Sequence, residues 1–247
     1  MREVTEVAVG VLVDRDGRFL MASRPQGKPY AGWWEFPGGK LEAGETVLQA
    51  LAREYAEELA VTVKKASTWF VFEREYPHAY VRLHFCRITE WEGEPESLEH
   101  QTFRWFATLK EAQSEKLLPM CALVIERLML PQRVALARGD ALPTVEAFEA
   151  SGAKALMTPE LTSQKEAFAK SLGVPLIVCR QWFATEDETA QPELQEWLVG
   201  AIRPQADGRG ILQVARQRLP LYVAATDNAQ ENDELLQLGA QGVYVEI

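Results

Sequence analysis

The amino-acid sequence predicts an α/β protein with two domains, and three observations support that prediction. The chain has 247 residues, which is longer than one small domain needs. Strand-like apolar runs surround two amphipathic helices in its first half. In its second half, short apolar runs alternate with helical stretches, a rhythm typical of a parallel sheet. We therefore expect domains at residues 1–131 and 143–247, with a connecting linker at residues 132–142 that contains the structure-breaking pair Gly139-Asp140.

The first half begins with two strand signals around a turn. A strand at residues 4–13 is followed by the turn Asp14-Arg15-Asp16-Gly17 and a returning strand at residues 18–23, which predicts a hairpin. The remaining elements expected in this half are strands at residues 61–72, 79–88 and 102–107 and a helix at residues 120–130. Those expected in the second half are strands at residues 155–157, 175–179, 219–225 and 243–247, and helices at residues 163–172, 193–201 and 232–238.

Charge and cysteine content restrict the partners and the compartment. The net charge of −10 argues against a nucleic-acid polymer or an anionic membrane as the main partner, whereas a small nucleotide carried by a metal ion is compatible with it. Cys86, Cys121 and Cys179 have neither metal-ligand nor disulfide spacing, which predicts a reducing cytoplasm. No apolar run is long enough to span a bilayer. The sequence indicates no oligomeric state.

The first long helix carries the chemistry. It is predicted from Thr46, a suitable N-cap, to Leu59, because helix formers fill this stretch without glycine or proline. Glu54, Glu57 and Glu58 fall at i, i+3 and i+4, so that three carboxylates share one face. The three glutamates alone favour a solvated acidic helix face. Because like charges at this spacing destabilise an isolated helix, a bound cation is the alternative. Hard oxygen ligands favour Mg²⁺ or Mn²⁺ over zinc.

This stretch resembles the Nudix box, in which U is an aliphatic residue: G-x(5)-E-x(7)-R-E-U-x-E-E-x-G-U. The matching positions are Gly39, Glu45, Arg53, Glu54, Glu57, Glu58 and Val61. Tyr55 stands where an aliphatic residue is usual, and Ala60 stands where the family has glycine, so we expect a helix end without a positive φ. The resemblance covers about the first half of the chain and implies an α/β/α sandwich with a mixed sheet.

Within this family, the first half is similar to the MutT branch. The run Trp34-Glu35-Phe36-Pro37-Gly38-Gly39-Lys40, the segment Glu99-His100-Gln101 and the segment Leu117-Leu118-Pro119 carry the similarity. It implies metal ligation by Glu54, Glu57, Glu58, Glu99 and the Gly38 carbonyl, and proton transfer by Glu54 or Glu57. It further implies nucleotide contacts by Arg24, Phe36 and Cys121, and structural roles for Gly39, Glu45 and Arg53.

The activity implied is Mg²⁺- or Mn²⁺-dependent hydrolysis of oxidised or modified nucleoside triphosphates to monophosphate and pyrophosphate, by attack on the β-phosphorus. In cells this sanitises the nucleotide pool and supports DNA repair. Cys121 stands where the oxidised-guanine hydrolases of this branch have an asparagine, and a thiol is a weaker hydrogen-bonding partner than an amide. Cytidine-type nucleotides are therefore an alternative substrate. A module that senses a nucleotide and signals to the second domain is the alternative of another class.

The second half resembles part of a thiamine-phosphate-synthase-like (β/α)₈ barrel. The similarity lies in residues 219–247, where Gly-Ala-x-Gly-Val leads into the last strand. Ala224-Ala225-Thr226-Asp227 occupies the place of the glycine pair that holds phosphate in such barrels. The remaining length is also short of a full barrel of roughly 200 residues or more. We expect a reduced, degenerate TIM-barrel-like or parallel-sheet domain without thiamine chemistry.

Overall fold

The computed structural model describes residues 4–75, 79–139, 141–179, 181–183, 200–202, 221–238 and 240–247. The chain forms two compact units, Met1–Met129 and Leu130–Ile247. In the described ranges, no helix combines the length and the apolar character needed to cross a membrane.

The first unit contains two sheets. The larger is mixed and has the strand order β4-β1-β6-β5, in which β1 runs parallel to β6 and antiparallel to β4. Its strands are β1 Val4–Leu12, β4 Gly38–Lys40, β5 Thr62–Glu75 and β6 Tyr80–Glu92. The smaller sheet, in the order β3-β2-β7, consists of β2 Phe19–Ser23, β3 Trp34–Glu35 and β7 Phe103–Phe106. The mixed sheet confirms the predicted fold of this half.

Helices cover both faces of the mixed sheet. Alternate residues of β1 point to opposite faces, and apolar residues lie on each. Ala8 and Leu12 pack in one core cluster with residues of helix α1, whereas Val9 and Val11 pack in another with residues of helix α3. The helices are α1 Val47–Leu59, the short α2 Leu109–Ala112 and α3 Pro119–Met129. This is the predicted α/β/α sandwich.

Tyr55 fits into α1 because the strand opposite it has a glycine. The Tyr55 hydroxyl donates a hydrogen bond to the Gly10 carbonyl over 2.8 Å, and a Cβ at position 10 would lie 2.3 Å from the Tyr55 ring. The ring is fully buried. An aromatic residue at this aliphatic position is thus accommodated by Gly10 on β1.

The prediction for the start of α1 is correct, whereas the prediction for its end is wrong. Thr46 is the N-cap, and its side chain accepts a hydrogen bond from the Gln49 backbone in a capping box. Ala60, however, has φ 56° and ψ 23°, so the expected absence of a positive φ is wrong. The left-handed conformation lets the Val61 N–H donate to the Tyr55 carbonyl over 3.1 Å as the chain turns toward β5.

The predicted hairpin is also only partly correct. The turn forms, with the Asp14 N–H donating to the Arg18 carbonyl over 2.8 Å. Beyond a single bridge between Val13 and Phe19, however, β1 and β2 join different sheets. β1 and β2 separate because each pairs with strands far away in the sequence, and the residues of the turn do not indicate those partners.

The second unit is built on seven described strands that are all parallel, in the order β10-β9-β8-β14-β13-β12-β11. The strands are β8 Arg133–Leu136, β9 Leu156–Thr158, β10 Leu176–Val178, β11 Gln181–Phe183, β12 Gly200–Ile202, β13 Leu221–Ala224 and β14 Gly242–Glu246. The described helices of this unit are α4 Val145–Ser151, α5 Ser163–Leu172 and α6 Ala229–Gln237.

Two predictions about this half require correction. The linker expected at residues 132–142 contains β8, which pairs with β9 and β14 and whose last three residues are buried. The helix expected at residues 193–201 ends within β12, and its part up to residue 199 lies outside the described residues. The helix predicted at residues 163–172 is confirmed as α5.

The row of strands in the second unit closes into a ring. Its two end strands, β10 and β11, are separated by only two residues of chain. In a flat sheet, seven strands about 4.8 Å apart would place the end strands about 29 Å from each other. The three Cα–Cα steps from Val178 to Gln181 reach about 11 Å at most. The row therefore curls back on itself, and its interior contains the buried side chains of Tyr222 and Tyr244.

Candidate functional site

Two adjacent glycines bring strand β4 close to its neighbours. Gly38 has φ +150° and pairs with Val9, and a Cβ there would lie 2.1 Å from the Ala8 carbonyl oxygen. A Cβ on Gly39 would lie 2.0 Å from a carboxylate oxygen of Glu54. Side chains at these two positions would therefore displace β4 from β1 and Glu54 from β4.

Arg53 organises the acidic face of α1. Its Nε and Nη2 donate to the two carboxylate oxygens of Glu45 over 2.8 and 3.0 Å, which is a bidentate contact. Its Nη2 also donates to the Lys40 carbonyl over 3.0 Å. The hydrogen bonds from Arg53 lower the pKa of Glu45 to about 2. Arg53 thus fixes the loop before α1 to the helix itself.

The same guanidinium group holds two of the predicted metal ligands. Its Nη1 donates to Glu54 over 2.9 Å and to Glu57 over 3.1 Å. Glu54 is largely buried, whereas 59% of the Glu57 side chain is exposed. Arg53 therefore orients both carboxylates from one side and leaves the Glu57 carboxylate accessible.

The pKa of Glu58 reflects its burial and the carboxylates around it. Burial, together with the charges of Glu54 and Glu99, raises its pKa to about 7. The structure therefore brings Glu58, Glu54 and Glu99 into one electrostatic cluster, which agrees with their expected proximity.

Glu99 reaches this cluster because its loop caps the end of α1. The Leu98 N–H donates to the Glu58 carbonyl over 3.0 Å, and the Glu96 N–H donates to the Leu59 carbonyl over 2.9 Å. The Gln101 side chain accepts a hydrogen bond from the Glu99 N–H over 3.1 Å. The loop thus supplies hydrogen-bond donors for the last carbonyls of α1, which have no partner within the helix. These bonds place Glu99 beside Glu58.

Arg24 is held by a carboxylate that the sequence analysis did not select. Its Nη1 lies 2.5 Å from Glu35 Oε2, and its Nε donates to the Pro29 carbonyl over 2.7 Å. Burial raises the pKa of Glu35, while Arg24 opposes that shift. Alternation along β3 could have identified Glu35, because its neighbour Trp34 is an apolar core residue and consecutive strand residues face opposite sides.

Lys28 is the second site residue that the sequence analysis missed. Its Nζ lies 3.8 Å from Glu99 Oε2, and its charge opposes the rise in the pKa of both Glu58 and Glu35. A lysine in a loop rich in glycine and proline gives no signal of its own in a single sequence.

Phe36 and Cys121 are buried at 3% and 5% exposure. The Phe36 ring packs 6.0 Å from the Phe19 ring, and the Cys121 thiol donates to the Trp34 carbonyl over 3.6 Å. Burial raises the pKa of Cys121 to about 12, so the thiol stays protonated near neutral pH. Both positions indicate core packing, and a nucleotide contact by either side chain stays a prediction.

The donor set at the cluster fits a hard divalent cation. In the part of the chain that the structure describes, no three His, Cys, Asp or Glu side chains already converge as a metal cage. Glu54 and Glu57 instead turn toward Arg53. Magnesium does not require such a cage, because it binds through one or two carboxylates together with water and phosphate oxygens. Burial, and after it the charges of Glu54 and Glu99, raise the pKa of Glu58, and a bound cation would favour the ionised form of this carboxyl.

Comparison with known proteins identifies a family for the first unit. Residues 4–122 match the NUDIX domain. The 8-oxo-dGTP diphosphatase of Haemophilus influenzae is 36% identical over 104 residues, which cover 42% of this chain and 76% of that protein. The CTP pyrophosphohydrolase of Escherichia coli is 34% identical over 121 residues, covering 49% of this chain and 89% of that protein. The solved structure of the E. coli ORF135 protein has 33% identity and a TM-score of 0.45, and the match covers 51% of this chain and 88% of that one.

Proposed function

Because this chain belongs to the Nudix hydrolase family, we propose that its first unit hydrolyses nucleoside triphosphates to the monophosphate and pyrophosphate. The observation that carries this proposal is the cluster of Glu54, Glu58 and Glu99, in which mutual repulsion and burial raise the pKa of Glu58 to about 7. A group of partly buried, mutually repelling carboxylates is costly to fold and is typical of a site that binds a cation.

The residues that would hold Mg²⁺ or Mn²⁺ are Glu54, Glu57, Glu58, Glu99 and the Gly38 carbonyl. A bound divalent cation neutralises phosphate charge and lowers the pKa of a coordinated water.

Among the chain's own groups, Glu54 or Glu57 accepts the proton of the water that attacks the β-phosphorus. Arg53 positions both carboxylates through its contacts of 2.9 and 3.1 Å. Gly39 lets Glu54 reach this place, because any side chain there would collide with it.

We propose oxidised purine nucleotides as the first substrate class, which follows the 8-oxo-dGTP diphosphatases among the relatives. Cytidine-type nucleotides are the second candidate, and the surroundings of Cys121 favour them. Its thiol is buried and donates to the Trp34 carbonyl, so it does not replace an amide that both donates and accepts. A CTP pyrophosphohydrolase is also among the relatives.

Pyrophosphate release from a panel of normal and oxidised triphosphates with Mg²⁺ tests the activity and identifies the base. Glu57→Gln should lower turnover about a hundredfold or more, which is the size of effect expected for a general base. Glu57 is exposed, so the melting temperature should stay within about 2 °C of the wild type. Glu90→Gln, an exposed carboxylate on β6, is the matched control.

A fully active Glu57→Gln protein would refute this assignment of roles. Nucleotide binding by the wild type without pyrophosphate release would instead favour the sensing module.

For the cellular setting, we propose sanitation of the nucleotide pool in a reducing cytoplasm, in support of DNA repair. The three cysteines are buried and form no disulfide among the described residues, which supports the reducing compartment. Small nucleotides are the proposed partners, rather than nucleic-acid polymers. For the second unit, a reduced domain related to thiamine phosphate synthases stays a prediction, which the parallel ring supports.

A further inference from the structure

Lys28 lies over the carboxylate cluster without forming a hydrogen bond to it. Its Nζ is 3.8 Å from Glu99 Oε2, which is an ion-pair distance and too long for a hydrogen bond. Its charge also opposes the rise in pKa that burial causes at Glu58 and Glu35. One ammonium group therefore faces three carboxylates that belong to α1, β3 and the loop after β6.

The other described cations around this cluster are held more tightly. Arg53 donates to both oxygens of Glu45 and to the Lys40 carbonyl, and Arg24 is paired with Glu35 at 2.5 Å. Lys28 and Glu99 are each about half exposed, so their contact is weak and easily exchanged for another. Of these three cations, Lys28 is therefore the one that can leave its carboxylate at small cost.

The backbone beneath Lys28 is fixed, although its side chain is loosely held. The Arg24 side chain donates to the Pro29 carbonyl over 2.7 Å. The Arg24 N–H donates to the Trp33 carbonyl over 2.8 Å, and the Gly32 N–H donates to the Arg24 carbonyl over 2.9 Å. These bonds close the loop at its base, so Lys28 can exchange partners by side-chain rotation alone.

We propose that Lys28 is a phosphate-positioning residue, whose ammonium group leaves Glu99 for the non-bridging oxygens of the triphosphate when a divalent cation binds the carboxylates. This inference rests on the proposed function. A divalent cation at Glu58 and Glu99 takes over the counter-charge that Lys28 supplies and repels the ammonium group. The triphosphate then offers Lys28 the nearest negative charge.

The proposal predicts two opposite changes in Lys28→Met. Affinity for Mn²⁺ alone should rise by about twofold to fivefold, because a competing positive charge is removed. Affinity for the non-hydrolysable analogues α,β-imido dGTP and α,β-imido dCTP with Mg²⁺ should fall about tenfold, since one charged phosphate contact is lost. Isothermal titration calorimetry measures both. In turnover, KM should rise by a similar factor while kcat stays within about twofold.

Two further variants sharpen the test. Lys28→Arg keeps the charge and should recover most of the analogue affinity. Lys64→Met removes a lysine of comparable exposure that pairs with Glu92 over 2.8 Å, and it should change none of these quantities. Equal losses with the guanine and cytosine analogues support phosphate contact, whereas a loss confined to one base overturns it.

The outcomes separate this inference from the proposed function. If the wild type releases pyrophosphate and Lys28→Met retains normal analogue and Mn²⁺ affinities, the role of Lys28 is refuted and the enzyme assignment stands. If the wild type releases no pyrophosphate, the proposed function fails. The two binding measurements then still decide whether Lys28 contacts phosphate.

Discussion

Each unit contains a distinctive cluster of side chains, and the two clusters are of opposite kinds. In the first unit, carboxylates of Glu54, Glu58 and Glu99 gather beside β4, and their repulsion and burial raise the pKa of Glu58. In the second unit, the ring encloses apolar and aromatic side chains such as Tyr222 and Tyr244. The first arrangement opposes folding, whereas the second favours it. The second unit is well packed, whereas the first holds carboxylates that repel one another. This contrast indicates that the first unit binds a ligand that compensates the repulsion.

The largest expected effect on stability lies in the ring interior. Tyr222 is fully buried, and its hydroxyl donates to the Pro131 carbonyl over 2.7 Å. Tyr222→Ala should lower the free energy of unfolding of the second unit by about 3–5 kcal/mol through the cavity and the lost hydrogen bond. Thermal unfolding followed by calorimetry measures this loss.

Tyr222→Phe is the matched control for the hydroxyl group and should cost only about 1 kcal/mol. Pyrophosphate release by the first unit should be unchanged in both variants at temperatures where the ring stays folded. If the folded variants also lost turnover, the activity of the first unit would depend on the interior of the second, which would contradict this contrast.

The next effect is a pH dependence in the first unit. The pKa of Glu58 in the folded protein, about 7, lies above its ordinary value of 4.5. The folded state therefore holds an extra proton between these values, and this contribution to stability is lost as the pH rises through 7. With EDTA present, the melting temperature should fall between pH 5 and pH 8, and Glu58→Gln should flatten that slope.

Magnesium should reverse this dependence, because a bound cation favours the ionised carboxylate. At pH 7, where about half of the Glu58 carboxyls are protonated, Mg²⁺ binding should release about half a proton from this group, seen as a heat that varies with the ionisation enthalpy of the buffer. Glu45 does not change the stability between pH 5 and pH 8, because its pKa is lowered to about 2. The stability that it adds is lost only below pH 4.5. Binding of Mg²⁺ without proton release would contradict the shifted pKa of Glu58.

The smallest effect is at the end of α1. Ala60 adopts φ 56°, which glycine adopts without the steric cost that a Cβ imposes. Ala60→Gly should raise the free energy of unfolding of the first unit by about 1 kcal/mol, as measured by urea denaturation. Ala52→Gly, in the helix interior, is the opposite control and should destabilise by a similar amount.

Local signals predicted the parts of the structure that depend on nearby residues. Thr46 caps α1 and α5 has the predicted bounds, because each of these follows from signals within one segment. The acidic cluster was also accessible, since helical periodicity places Glu54 and Glu58 together. Glu99 could be placed beside them only through a family resemblance.

The wrong predictions share a dependence on distant partners. Ala60 adopts a positive φ because β5 must turn back along the sheet, and β1 separates from β2 because each pairs with a strand far along the chain. Lys28 joins the cluster through a loop whose position only tertiary contacts determine. Local composition does not encode such pairings, which explains why the sequence also suggested a linker where β8 lies.

The position of β8 has a practical consequence for dividing this protein. Arg133–Leu136 is hydrogen-bonded on both sides, to β9 and to β14. A fragment that starts at residue 143, the boundary suggested by composition, would lack this strand and leave both neighbours with unpaired backbone groups. Exposed edges of this kind recruit strands from other molecules. Such a fragment should aggregate, whereas one starting at Leu130 retains the closed ring.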